Sequence, residues 1–395
     1  MTKTPLVSVV MSAWNHAAYV AQAIQSVLDQ TFKDFEFLIA DDGSSDATKA
    51  VIASFQDPRI LFFPHENNRG ACITRNELIE KAKGKYVAVF NSDDYWSSDK
   101  LMYQVDFLEN NAEYSAIFSD VTWVDDKNNI IPKEDLAFGK IFEQRNRTQG
   151  EWLRFFFDFG NCLCHPSVLI HRACYAELGL YDNCYRQLPD FDMWVRLAKK
   201  YLFFVSDKNL VSFRQLPMGQ NASSQTPENA LRGMNEQYLI ASDFFDGVSA
   251  NILIEGFSDL LIFKNPPSNV HLDIEKCLLF FTENPQYYHL YQRIGLTKLF
   301  QLLHSPAHRF ILEKDYQKSD FYFQKLSSMV SVFEVINKAK IEELQLLLLS
   351  SQKNVEELQL LLLFSQKNEL NSTSTYHLLL EIKRRLWAKF KKRLS

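Results

Sequence analysis

The chain opens on an apolar run, Leu6-Val7-Ser8-Val9-Val10-Met11, that breaks into the polar Ser12-Ala13-Trp14-Asn15-His16. A short β-branched run of this kind predicts a buried strand ending in a loop. From Ala18 to Gln30 the period changes, with Val20, Ile24, Val27 and Leu28 on one face, and a helix is expected. Phe35 to Ala40 reads as a second strand, stopped by Asp41-Asp42-Gly43-Ser44-Ser45-Asp46, where Gly gives turn freedom and Ser or Asp can cap a helix. Ile60 to Phe63, a helical stretch from Gly70 to Lys83 and the strand Tyr86 to Phe90 repeat the alternation. Strand and helix in turn predict an α/β fold with a mostly parallel central sheet and ligands outside the carboxyl ends of the strands. Trp14, Asp42 and the run Asn91-Ser92-Asp93-Asp94 all fall at such ends, so three polar clusters are expected to converge on one crevice.

Beyond Asn221 the texture changes to longer helical stretches, Glu236 to Phe245 and Ile252 to Phe263 among them, which predicts a helical extension over 226–335. A repeat follows. Ile341 to Asn354 recurs as Val355 to Asn368, a period of 14 residues that equals two heptads. Segment 336–368 therefore reads either as a short coiled coil, and a route to a homo-oligomer, or as a helix packed on its own chain. From 369 to 395 the pattern is a basic amphipathic helix, with seven basic residues and no acid between Lys383 and Arg393. Such a tail suits an anionic membrane surface and predicts a peripheral position on the cytoplasmic face of the plasma membrane.

Composition narrows the classes. At 395 residues, 46% of them hydrophobic and 23% charged, the chain is long enough for two or three globular units. A formal net charge of -5 argues against nucleic acid as a partner, since that needs a broad basic surface. The six cysteines show no paired CxxC spacing and the start of the chain lacks a signal-peptide pattern, so reduced thiols in the cytoplasm are expected. Cys162-Leu163-Cys164-His165 supplies too few spaced ligands for zinc. No run approaches the ~20 apolar residues that cross a bilayer.

Three motifs in series carry a resemblance. Val7 to Asn15, then Ala23-Ile24-Gln25-Ser26-Val27-Leu28-Asp29-Gln30-Thr31-Phe32, then Ala40 to Asp46, resemble in order and spacing the opening of the family 2 glycosyltransferases, inverting enzymes of the GT-A fold. The likeness covers about residues 5 to 225, and a domain over 1–225 is assigned to it. It implies transfer of a sugar from a nucleotide-diphosphate donor, UDP being the expected carrier, to a hydroxyl of a saccharide or glycolipid acceptor, as in building a bacterial surface polysaccharide. By that resemblance Ser12, Trp14, Asp42, Arg69, Asn91 and Ser92 meet the nucleotide, with Trp14 against the base, Asp42 reading its N–H and Arg69 near the diphosphate or ribose. Asp93 takes the position of the carboxylate that ligates Mn2+ or Mg2+, and Asp190, in Leu188-Pro189-Asp190-Phe191-Asp192-Met193-Trp194, that of the general base. His165, Asp192 and Trp194 border the acceptor side; Asp192 is the rival candidate for the base, and is expected rather to start the helix that carries Trp194.

The pattern departs from the family at Asn91, where a first carboxylate is usual, at Pro189 in place of Glu, and at Leu216 in place of a frequent His. A loop without glycine after the first strand argues against a nucleotidyltransferase. The other reading is a catalytically inactive, glycosyltransferase-like scaffold that assembles through its C-terminal helices. The QxxRW signature of processive synthases is absent, so addition of one or a few sugars is expected.

Overall fold

The computed structural model describes residues 4–217, 221, 224, 226–284 and 286–330. The leucine-rich repeat and the basic tail lie outside the described residues. The strands are β1 (Val7–Ala13), β2 (Phe35–Asp41), β3 (Ile60–Pro64), β4 (Tyr86–Asn91), β5 (Tyr95–Trp96), β6 (Tyr114–Val124), β7 (Leu169–His171) and β8 (Leu202–Arg214). The helices are α1 (Val20–Leu28), α2 (Thr48–Ala53), α3 (Ala71–Lys81), α4 (Lys100–Asn110), α5 (Gln149–Phe159), α6 (Arg172–Leu178), α7 (Pro189–Lys200), α8 (Pro227–Ser242), α9 (Ala250–Phe257), α10 (Asn269–Leu278), α11 (Tyr288–Leu303), α12 (Pro306–Lys314) and α13 (Asp320–Ser327).

The strands form one sheet in the order β3-β2-β1-β4-β7-β6-β8-β5. β3, β2, β1 and β4 run parallel, β7 runs against both β4 and β6, β8 runs parallel to β6, and β5 lies antiparallel at the edge. The register lines up the carboxyl ends that matter: Ala13 pairs with Asp41, and Ser12 with Asn91. The loops that leave β1, β2 and β4 therefore emerge side by side.

Alternation along the strands sends residues to opposite faces, and here both faces are covered. Val7, Val9 and Met11 of β1 meet α1 through Val20, Ile24 and Val27, and α4 through Leu101 and Val105. Val10, Leu38, Val87 and Val89 meet Leu78 and Ile79 of α3, Trp152 and Phe156 of α5, and Trp194 of α7. Each such side chain removed from water stabilises the fold by roughly 1.5–3 kcal/mol before entropy is counted.

The helices after β8 share that second core. Phe157 of α5 stacks on Tyr291 at 4.3 Å and packs edge-on against Phe257 and Phe280. α5 and α9 cross at two glycines, where a Cβ on Gly150 would lie 2.6 Å from the backbone nitrogen of Gly256. A smaller cluster of Ile274, Leu299, Leu303, Leu312 and Tyr316 closes α10, α11 and α12 on one another.

Several boundaries differ from expectation, each for a capping reason. α8 begins at Pro227, nine residues before Glu236, because Thr226 caps it through the N–H of Asn229 and Pro227 fits the first turn. α7 begins at Pro189 by the same proline rule, so Asp192 lies inside the first turn and does not start the helix. Among the described residues no helix is long and apolar enough to cross a membrane.

Candidate active site

At the β1 end the chain turns through Asn15, which adopts φ 53°. That left-handed turn is held by cross-loop bonds. The N–H of Asn15 donates to Ser44 Oγ at 3.0 Å, the N–H of Ser45 donates to Asn15 Oδ1 at 2.9 Å, and the N–H of Ala17 donates to Asp46 Oδ2 at 3.0 Å. Polar residues of the β1 and β2 loops thus satisfy one another's backbone. Trp14, between them, stays 50% exposed. A large planar ring left in water at the mouth of a polar crevice is a surface for a flat ligand to cover. Ser92, buried at the β4 end, lies 2.8 Å from His16 Nδ1 and joins the third loop to the first two. Ser12 is half-buried on β1 beside Asn91.

Asp42 is buried and fully engaged. Its Oδ1 accepts from the N–H of Arg69 at 2.9 Å and from Thr74 Oγ1 at 2.8 Å, and its Oδ2 accepts from the N–H of Gly70 at 2.9 Å. His65 Nδ1 stands 3.3 Å from Oδ1. One carboxylate therefore fixes the 65–70 loop and the first turn of α3 against the end of β2. The approach is close enough that a Cβ on Gly43, at φ 69°, would lie 2.4 Å from the carbonyl carbon of Asn67. Arg69 supplies its backbone to Asp42, while its half-exposed guanidinium pairs with Glu77 Oε2 at 2.9 Å.

The turn after β4 divides its two aspartates. Asp94 is buried, accepts from Asn91 Nδ2 at 3.1 Å and from the N–H of Arg214 at 2.8 Å, and burial with the neighbouring Asp93 charge pushes its carboxyl well above the ordinary range. Asp93 makes no side-chain hydrogen bond or ion pair among the described residues. Arg214 fixes the turn from below, since its Nε donates to the Asp93 carbonyl at 2.7 Å and its Nη atoms donate to the Asp125 carbonyl, Gln22 Oε1 and Asn128 Oδ1.

Near the start of α7, α3 is stapled to the loop that precedes that helix. Asn76 Nδ2 donates to the Tyr181 carbonyl at 2.7 Å and Asn76 Oδ1 accepts the N–H of Tyr181 at 3.1 Å. The staple brings Arg75, only 7% exposed, to 5.4 Å from the Tyr181 ring. Tyr181 Oη lies 3.1 Å from His165 Nε2, and burial together with the Arg75 charge holds that imidazole well below its usual range, hence neutral. Asp190, in the first turn of α7, accepts from the N–H of Phe191 and from Asn161 Nδ2, both at 2.9 Å. Burial raises its carboxyl above the ordinary value, opposed by those two bonds and by Arg75.

Asp192 is paired with Arg196, which also donates to the carbonyls of Leu178 and Leu180 at the end of α6. Trp194 is fully buried, its ring 4.7 Å from Phe118 and 5.9 Å from His165. Arg75, Asn161 and Arg214 were not picked out from the sequence as site residues. Arg75 does leave a signal there: Cys72, Arg75 and Ile79 share one face of α3, and a cation on a core-facing stripe calls for a reason.

The family model described as Glycosyl transferase family 2 matches residues 8–172. An uncharacterised glycosyltransferase of Methanocaldococcus jannaschii is 31% identical over 232 residues, covering 58% of this chain and 76% of its own length. The chain belongs to glycosyltransferase family 2. Within that family it is also similar to WfaP of Escherichia coli, named a UDP-Glc:alpha-D-GlcNAc-diphosphoundecaprenol beta-1,3-glucosyltransferase, with 34% identity over 195 residues, 49% of this chain and 71% of that one. Of one longer relative the chain spans 42%. Residues 1–349 of TarS from S. aureus, solved with UDP-GlcNAc, share the fold at a TM-score of 0.51 and 17% identity, covering 82% of this chain and 91% of that one. Family 2 membership and the GT-A-like sheet make this a glycosyltransferase built for a nucleotide-sugar donor.

Proposed function

We propose that the chain transfers a single hexose from a UDP-sugar, with inversion, to a hydroxyl of a lipid-linked or free saccharide of a bacterial surface glycan. The observation that carries this reading is the contrast between two carboxylates: Asp93 on the β4 turn, unpaired among the described residues, and Asp190, held and partly buried at the start of α7. WfaP's UDP-glucose donor and diphosphoundecaprenol-linked acceptor, and the UDP-GlcNAc bound to TarS, support the choice of donor and acceptor class.

The exposed Trp14 ring covers one face of the base, and the loops of β1 and β2 form the floor under the ribose. A divalent ion fits the donor set, because a single free carboxylate suits a hard cation that takes its remaining ligands from phosphate and water, and among the described residues no group of three acidic, His or Cys side chains offers a closed cage. Asp93 would hold that ion, which when bound neutralises charge on the departing diphosphate. Asp190 accepts the proton of the acceptor hydroxyl as its oxygen attacks the anomeric carbon. The bond from that carbon to the diphosphate oxygen breaks on the opposite face, so the configuration inverts. Arg75, buried and cationic near Asp190, favours the ionised carboxylate that must take up the proton.

Thermal stabilisation by UDP, GDP, dTDP and CDP, with and without Mn2+, tests the donor side in the parent and in Asp93→Ala. A Mn2+-dependent shift with UDP alone, lost in the variant, is expected. No shift with any nucleotide would move the reading to an inert scaffold.

A further inference from the structure

Asp190 is gripped from two elements, and only one of the grips is part of its own helix. The N–H of Phe191 on α7 holds Oδ1 at 2.9 Å, while Oδ2 accepts from Asn161 at 2.9 Å, a residue just past the end of α5. Gly160, at φ 78°, ends that helix, and a Cβ there would lie 2.6 Å from Tyr287 Oη, so the Tyr287 ring packs directly against the backbone that presents Asn161. The amide's orientation is fixed by its other end. Asn161 Oδ1 accepts the N–H of Leu163 at 3.1 Å, which leaves only the NH2 group to face Asp190.

We propose that Asn161 is a positioning residue for the acceptor-side base: it sets the plane of the Asp190 carboxylate and leaves one lone pair on each oxygen for the acceptor hydroxyl. This rests on the reading of Asp190 as the base. The groups that face Asp190 from other elements are Arg75 of α3, with Tyr181 and His165 beyond it, and Asp192 on its own helix is occupied by Arg196. Among them Asn161 is the neutral side-chain donor bonded to the carboxylate. A neutral donor fixes geometry without a cation's tendency to hold the base in a closed ion pair.

Asn161→Asp is the discriminating variant, because it keeps the oxygen that accepts from Leu163 and replaces only the donor. UDP release from UDP-glucose and UDP-GlcNAc in Mn2+ gives kcat and KM across pH, and 13C-carboxyl NMR of Asp-labelled protein, with the Asp190 signal assigned by Asp190→Asn, reads the titration without turnover. The expected result is a kcat lower by about tenfold or more at unchanged donor KM, with the acid limb and the Asp190 carboxyl midpoint both moved up by about a unit. Asn161→Ala, shown folded by its melting temperature and its UDP shift, should move both in the same direction. An inactive Asp190→Asn beside an Asn161→Asp with parental kcat and midpoint overturns the role of Asn161 and leaves the base assignment standing. Parental turnover in Asp190→Asn overturns the base assignment itself. If neither sugar turns over, the carboxyl midpoint alone decides, an unmoved one counting against Asn161.

Discussion

The backbone N–H of Arg214 donates to Asp94 Oδ1 at 2.8 Å, tying the last residue of β8 to the turn that follows β4. Two segments 120 residues apart in sequence thereby fix the position of Asp93, whose carbonyl the Arg214 guanidinium also holds. Lys at 214 has one donor head where Arg has a planar fork. Arg214→Lys should lose about 2–4 kcal/mol of stability, since the buried head at 214 would keep its charge but lose donors to the partly buried Asp125 carbonyl and Gln22 Oε1 and to the exposed Asn128. It should also weaken Mn2+-dependent UDP binding several-fold, measured by calorimetry. Loss of stability with parental Mn2+ and UDP affinity would mean that Arg214 holds the fold and not the turn.

Asp42 should behave as an organiser of the 65–74 segment as much as a ligand to a base. Asp42→Asn replaces one acceptor oxygen with a donor that must face the N–H of Gly70 or of Arg69. A cost of about 1–3 kcal/mol in urea unfolding is expected, along with reduced UDP affinity. Thr74→Val removes a single donor to the same oxygen and should cost about 1 kcal/mol with a smaller effect on UDP. Reduced UDP affinity in Asp42→Asn at full stability would instead assign Asp42 to the base alone.

Much of the sheet was legible because its signal is local. The runs around Val9, Phe37, Tyr86 and Val89 are continuous and apolar, as strands buried on both faces must be, and the polar residues that stop them mark the carboxyl ends where the loops converge. Asp93 and Asp190 could be singled out because motif order and spacing are written along the chain. What sequence reading missed is what tertiary contact decides. Arg214 sits at the end of a strand and nothing nearby in sequence shows that Asp94, Gln22 and Asn128 come to it. Asn161 follows a helix-ending glycine and reads as an ordinary turn residue until α7 is packed beside it. The start of α7 was misplaced because an acidic residue near a helix beginning suggests a cap, whereas Pro189 had already supplied the first turn.

Arg75 should tune the pH dependence of the reaction. Its charge favours the ionised form of Asp190, so Arg75→Gln raises the Asp190 carboxyl further above the ordinary value. A base must be ionised to act, and the acid limb of kcat/KM for UDP release should therefore move to higher pH, by about half a unit to one unit. His165 should shift in the same direction, becoming easier to protonate once the neighbouring cation is gone. Arg69→Gln serves as the control: its guanidinium is paired with Glu77 at the surface, so donor KM can change but the acid limb should not. An unmoved acid limb in Arg75→Gln would separate Arg75 from the base.

Lys100 gives the clearest pH-dependent stability. Its side chain is fully buried at the start of α4, with Nζ donating to Gln104 Oε1 at 2.7 Å and lying 4.0 Å from the centre of the Trp96 ring. Burial lowers its pKa to about 7. In the unfolded chain the value is about 10.4, so between these limits the unfolded state binds a proton that the folded state does not, and stability rises with pH. Below about pH 7 both states are protonated and the folded state carries the whole penalty, on the order of 4 kcal/mol, less whatever Trp96 and Gln104 return. Lys100→Met, similar in length and apolar, should therefore be more stable than the parent by about 2–4 kcal/mol at pH 7 in urea unfolding, with the difference shrinking as the pH approaches 10. A variant less stable than the parent by the same amount at both pH values would show that the ammonium on the Trp96 face is compensated, and that Lys100 is charged inside the folded protein.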